Sequence, residues 1–149
     1  MHRISRRNFA KTTLAACGLV AAGGPMTLAA PAPFIRRRIP SSGELIPIMG
    51  LGTNRYGVGD SAEARAPLRE ALSRFHERGG TVIDTAPGYR TSERVLGDLV
   101  NDLGIRGDLF MATKVDRESG RADSLAQVRD SARRLKTDTI DLMQVHSLR

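Results

Sequence analysis

Four short apolar runs, separated by segments of helical period, constrain this chain more than any other feature. The runs are Ile46 to Leu51, Thr81 to Asp84, Leu109 to Lys114 and Ile140 to His146. Between them, apolar residues recur on one face of a helix: Leu68, Ala71, Leu72 and Phe75, then Val95, Leu96, Leu99 and Leu103, then Leu125, Val128, Ala132 and Leu135. The pattern repeats about every 30 residues, the length of a strand-helix-strand unit. Near-continuous apolar strands alternating with one-sided helices predict an α/β fold, with a parallel sheet covered by helices. Helix starts are expected at the D-x-x-E pair Asp60 to Glu63, at Ser92, and at Ser124 with Gln127. Gly79-Gly80 stops the first helix, and the turn cluster Ser41 to Glu44 predicts a hairpin over residues 38 to 48.

The C-terminal ends of these strands carry the polar groups. Val82-Ile83 leads into Asp84, and the Pro87-Gly88 turn then delivers Tyr89. The next two strands end in Lys114 and His146, and the first ends in Gly50-Leu51-Gly52-Thr53, where small residues let backbone or ligand come close. If the strands are neighbours, Asp84, Tyr89, Lys114 and His146 converge where α/β enzymes carry their chemistry. Taken singly, each has a plainer reading. Lys114 and Asp84 form an ion pair at a strand end, or Lys114 forms a Schiff base. His146 is a satisfied core histidine, and Tyr89 is a surface phenol in a turn.

Composition narrows the function classes. The chain has 149 residues, suited to one domain, and a formal net charge of +7. Arg3, Arg6, Arg7 and Lys11 supply +4 of that charge before residue 30, where no acid occurs. The remainder is nearly balanced and its basic residues are not interleaved with aromatics, so no nucleic-acid footprint is present. No metal-ligand cluster and no G-x-G-x-x-G after a strand stand out.

Ser5-Arg6-Arg7-Asn8-Phe9-Ala10-Lys11 resembles the twin-arginine export motif of bacteria, and a mildly apolar stretch from Thr12 to Ala22 follows it. That stretch is too short and too glycine-rich for a stable membrane anchor, which needs about 20 apolar residues. Thr27-Leu28-Ala29 offers small residues for cleavage before Ala30. The expected organisation is a signal peptide over residues 1–29, a flexible basic arm over 30–38 and a globular part over 39–149, in a periplasmic or exported protein. Cys17, the single cysteine, excludes an intramolecular disulfide. It also follows Lys11 too closely for the usual apolar region of about 7–15 residues that precedes a cleavage site.

Four motifs in order are similar to those of the aldo-keto reductases. They are the hairpin leading to GLGT at Gly50 to Thr53, DTA-x-x-Y with S-E and L-G from Asp84 to Gly97, the strand ending in Lys114, and DLMQVH from Asp141 to His146. The resemblance spans residues 39 to 149. It implies a (β/α)8 TIM-barrel fold, of which the first four strands and three helices are present after the N-terminal hairpin. Such a barrel takes about 250 residues. A half barrel implies an N-terminal fragment of such a reductase, truncated and inactive alone, a binding module that needs a second half from a homodimer or a separately encoded piece, or a non-functional remnant.

The resemblance further implies an oxidoreductase that reduces a small aldehyde or ketone to an alcohol with hydride from NADPH. Tyr89 is then the general acid. An unperturbed tyrosine has a pKa of about 10, and a neighbouring ammonium favours its phenolate. Lys114 supplies that charge, Asp84 holds Lys114, and His146 orients the carbonyl oxygen. Gly52, Thr53 and Asp84 are the implied cofactor-binding positions. One departure concerns Arg90, where the family has a glycine after the tyrosine, a residue that permits positive φ.

Overall fold

The computed structural model describes residues 34–116 and 120–147. The expected signal peptide, its cleavage site and residues 30–33 of the arm lie outside the described residues. The fold opens with an antiparallel hairpin of β1 (Arg36–Arg38) and β2 (Leu45–Pro47), paired from Arg36↔Pro47 to Arg38↔Leu45. Gly43 turns it, at φ 77. The three arginines expected in a flexible arm therefore form a strand. Their exposed side chains disguised it, because two of them reach along the hairpin instead of into a core: Arg36 donates to the Leu45 carbonyl and Arg38 to the Gly43 carbonyl.

Four strands form one parallel sheet in chain order: β3 (Gly50–Gly52), β4 (Val82–Asp84), β5 (Phe110–Asp116) and β6 (Leu142–His146). Three helices connect them: α1 (Ala62–Glu77), α2 (Ser92–Leu103) and α3 (Arg121–Leu135). The strand expected over Ile46 to Leu51 divides into β2 and β3, which belong to different sheets. The first ladder runs one bond past Pro47, where Ile48 N donates to the Ile35 carbonyl at 2.9 Å. Gly50 starts the second because a Cβ there would lie 2.9 Å from Val82 Cγ1 and 3.0 Å from the Val82 carbonyl oxygen.

The helix starts also shift by small steps. Ser61, not Asp60, caps α1 and accepts from Ala64 N at 3.2 Å. Thr91 precedes α2, and Ser92 is its first turn, with its hydroxyl given to the Thr53 carbonyl. Helix α3 begins after Gly120, ahead of Ser124, and Gln127 Oε1 accepts from Asp116 N at 3.0 Å. Short polar side chains near a helix start can satisfy several acceptors, so spacing alone left these bounds loose.

Strand side chains alternate between two faces. Ile83 and Met111 point toward the helices and are fully buried against Leu72, Val95, Leu96, Leu99, Val100 and Leu135. Burying each such side chain contributes about 1.5–3 kcal/mol. Gly97 lets α2 and α3 approach, since a Cβ there would clash with the Arg134 carbonyl oxygen and meet Leu135 Cα at 2.8 Å. Ala71 and Leu125, expected on buried helix faces, are exposed. Leu125 shares the last strand-helix unit with the exposed Leu142 and Val145 of β6, and β6 pairs with β5 alone among the described strands.

The other face carries the polar strand ends, and the ladder registers set their level. Asp84 pairs with Ala112, so Lys114 lies two residues further along β5; Lys114 pairs with Gln144, so His146 lies two further along β6. In a sheet whose strands tilt against a barrel axis, such steps keep successive residues at one height. This is the α/β fold of TIM-barrel type, present as four parallel strands, three helices and the preceding hairpin.

Candidate active site

The strand ends meet as that register requires. Lys114 Nζ donates to both carboxylate oxygens of Asp84 at 2.7 Å and to the Thr85 carbonyl at 2.8 Å, using all three of its donors. The lysine is 9% exposed, so this ammonium is held rather than solvated. It lies 5.2 Å from the centre of the Tyr89 ring, within cation–π range. The Tyr89 and His146 rings meet edge to face, with centroids 5.7 Å apart at 84°. Asp84, Tyr89, Lys114 and His146, drawn from three strands and a loop, thus stand together.

The loop that presents Tyr89 is held from both sides. Tyr89 N donates to the Ala86 carbonyl at 3.1 Å, and Ser92 N to the Tyr89 carbonyl at 3.1 Å. Arg90 adopts φ 59, the left-handed conformation that a glycine would take freely. Gly57, from the loop after β3, packs under this turn: a Cβ there would lie 2.8 Å from the Tyr89 carbonyl oxygen and 3.0 Å from Arg90 Cβ. Thr91 Oγ1 adds a bond to the Val58 carbonyl at 3.0 Å.

Gly52 and Thr53 differ in kind. Gly52 pairs with Asp84 and is exposed, and a Cβ there would meet nothing within 4 Å, so space is open beside the carboxylate. Thr53, expected to face a cofactor, is fully buried. Its amide and its hydroxyl both donate to the Asp84 carbonyl at 3.0 Å. That side chain fixes the end of β4 from within the fold.

Sequence reasoning missed the polar layer on the opposite face of the sheet. Thr113 Oγ1 donates to Glu93 Oε1 at 2.6 Å, and Arg134 Nε donates to Glu93 Oε2 at 2.7 Å. Asp141 Oδ2 accepts from Met111 N at 2.7 Å and from Arg106 at 3.1 Å, tying β5 to the start of β6. Thr85 Oγ1 is, among the described residues, the buried side-chain oxygen without a partner. A glutamate in the first turn of a helix ordinarily reads as a solvated acid favoured by the helix dipole, so nothing marked Glu93 as buried. Among the described residues, no cluster of three or more His, Cys, Asp or Glu side chains is placed to hold a metal ion, and no helix is long and apolar enough to cross a membrane.

Known proteins are similar to this chain in sequence and in fold. The aldo-keto reductase YhdN of Bacillus subtilis is 35% identical over 114 residues, which cover 66% of this chain and 33% of YhdN. The methylglyoxal reductase YeaE of Escherichia coli is 33% identical over 74% of this chain and 39% of its own length. A Klebsiella pneumoniae aldo-keto reductase, solved in complex with NADPH, superposes with a TM-score of 0.63 at 30% identity, over 76% of this chain and 40% of that one. This chain thus spans well under half the length of each of these three relatives. The model of the aldo/keto reductase family matches residues 48–149, most of the chain, and the chain belongs to that family.

Proposed function

We propose that this chain carries the proton-donating part of an NADPH-dependent carbonyl reductase that converts small aldehydes or ketones to alcohols. The observation that supports it best is the Lys114 ammonium, bonded to both oxygens of Asp84 and 5.2 Å from the Tyr89 ring. A positive charge at that range stabilises developing phenolate as Tyr89 gives its proton to the carbonyl oxygen. Asp84 holds Lys114 in place through both carboxylate oxygens. His146, edge-on to Tyr89, hydrogen-bonds the same oxygen and fixes its position. NADPH, when bound, supplies the hydride. The exposed Gly52 and the adjacent Asp84 carboxylate leave room for it at this corner, while Thr53 holds that corner from behind.

A reductase of this kind needs the rest of its barrel. The exposed Leu142 and Val145 on β6 support a reading in which further strands complete the sheet, whether from a longer chain, a second copy or a separately encoded piece. The paired arginines in Ser5 to Lys11 support export by the twin-arginine route to the periplasm. Changing Arg6 and Arg7 to lysine should then retain the protein in the cytoplasm on cell fractionation; unchanged export would refute the route.

The chemical test is Tyr89→Phe, measured by aldehyde-dependent oxidation of NADPH together with NADPH fluorescence titration. Turnover should fall at least a hundredfold, the scale of a lost general acid, with cofactor affinity kept. Undiminished turnover in the variant would remove Tyr89 from the mechanism.

A further inference from the structure

The mechanism leaves one buried carboxylate unused. Glu93, in the first turn of α2, has a side chain only 2% exposed. It sits behind the sheet, on the face away from the candidate site. One of its oxygens takes the Thr113 hydroxyl at 2.6 Å and the other takes Arg134 of α3 at 2.7 Å. A buried charge is costly unless paired, and both oxygens of this one are paired.

What these bonds fix is the residue before Lys114. Side chains alternate along β5, so Thr113 points to the helices and Lys114 to the site. Clamping the Thr113 side chain from behind sets the rotation of β5 about its own axis at that point, and hence the direction of the next side chain. Lys114 is sensitive to that direction. Its three donors are all committed, to Asp84 Oδ1, Asp84 Oδ2 and the Thr85 carbonyl, at 2.7, 2.7 and 2.8 Å. A small rotation of the strand lengthens at least one of the three. We infer that Glu93 is a positioning residue: through Thr113 it aims the Lys114 ammonium at Asp84 and beneath Tyr89. The inference rests on Lys114 being Tyr89's support.

The test reads Lys114 directly. The chain contains three lysines, Lys11, Lys114 and Lys136, so a 15N-lysine sample of the full chain gives few ammonium signals. An ammonium with three protein acceptors exchanges its protons slowly with water, and the Lys114 signal is assigned by its disappearance in Lys114→Met. In Thr113→Val and Glu93→Ala its exchange should quicken about tenfold or more, the scale of one lost hydrogen bond. Thr113→Ser keeps the hydroxyl-to-carboxylate bond and should restore slow exchange. Leu99→Ala truncates a core residue of the same helix and should lower the unfolding temperature without altering Lys114 exchange. A merely structural Glu93 would behave like Leu99.

Unchanged Lys114 exchange in folded Thr113→Val overturns the inference, as does a wild-type Lys114 with no protected signal. Thr113→Val decides alone if Glu93→Ala does not fold. The readout needs neither cofactor nor turnover, so its failure is distinct from a failure of the proposed reductase activity.

Discussion

The two faces of the parallel sheet are built on opposite terms. Toward the helices, Ile83, Met111 and Thr113 are fully buried and meet a close-packed layer from α1, α2 and α3. Toward the site, the same strands carry Asp84, Lys114, Gln144 and His146, and Asp84 keeps a side chain 38% exposed. The helix side holds the fold through shape, where one added carbon matters. The site side holds a few polar groups through direction, where rotation matters more than volume. Substitutions on the two sides should therefore fail in different ways.

The largest effect is expected where shape is tightest. Gly97→Ala places a methyl group against the Arg134 carbonyl oxygen and Leu135 Cα, backbone atoms that cannot turn aside. Helices α2 and α3 must separate, opening the contact around Leu96 and Leu135. A loss of about 2–4 kcal/mol in chemical denaturation is expected, at the upper end of overpacking costs or beyond. A loss below about 0.5 kcal/mol would show that the helix layer is more compliant than its burial suggests.

The same contrast explains which features are legible in the amino-acid sequence. The helix side announces itself, because apolar residues at helical period have few other uses. Val95, Leu96 and Leu99 take their expected places, and β4, β5 and β6 fall within two residues of expectation, while the first expected strand divides into β2 and β3. The site side is legible through motif order instead: Asp84, Tyr89, Lys114 and His146 stand together although they are far apart in the chain. What escapes lies between those signals. Thr53 and Glu93 are polar residues that face inward, and one-dimensional polarity reads them as surface or ligand-facing. The hairpin arginines escape for the converse reason, since a strand whose side chains are all exposed shows no apolar alternation.

A middle-sized effect is expected from the charges that bind the helices to one another. Asp98 of α2 takes Arg65 of α1 at 2.9 Å and Lys136, after α3, at 2.8 Å. Partial burial alone would raise its pKa, but hydrogen bonds from Lys136 and Arg65 and their positive charges outweigh it. The group titrates below its ordinary 3.8. With the folded-state value depressed, the unfolded chain binds the proton first as pH falls. The contribution is then complete above about pH 4 and lost progressively below it. Asp98→Asn should lower stability at pH 7 by about 1 kcal/mol and flatten the acid limb of the stability curve. An unchanged slope between about pH 4 and pH 2 would show that the helix layer does not depend on this pair.

The smallest effect, and the one of opposite sign, belongs to the site side. Arg90 holds φ 59 immediately after Tyr89, which costs a non-glycine residue about 1–2 kcal/mol. Glycine relieves that cost but gives back about 0.5–1 kcal/mol in unfolded-state entropy. Arg90→Gly should therefore raise stability by about 0.5 kcal/mol, measured as a higher denaturation midpoint with an unchanged slope. The backbone of the turn is already braced by Gly57 and by Thr91 on Val58, so the gain should come without moving Tyr89. If the variant were less stable, the arginine side chain would have to supply contacts that outweigh its backbone strain. The site side would then share the helix side's dependence on packing, and the contrast between the two faces would fail at the residue next to the proposed acid.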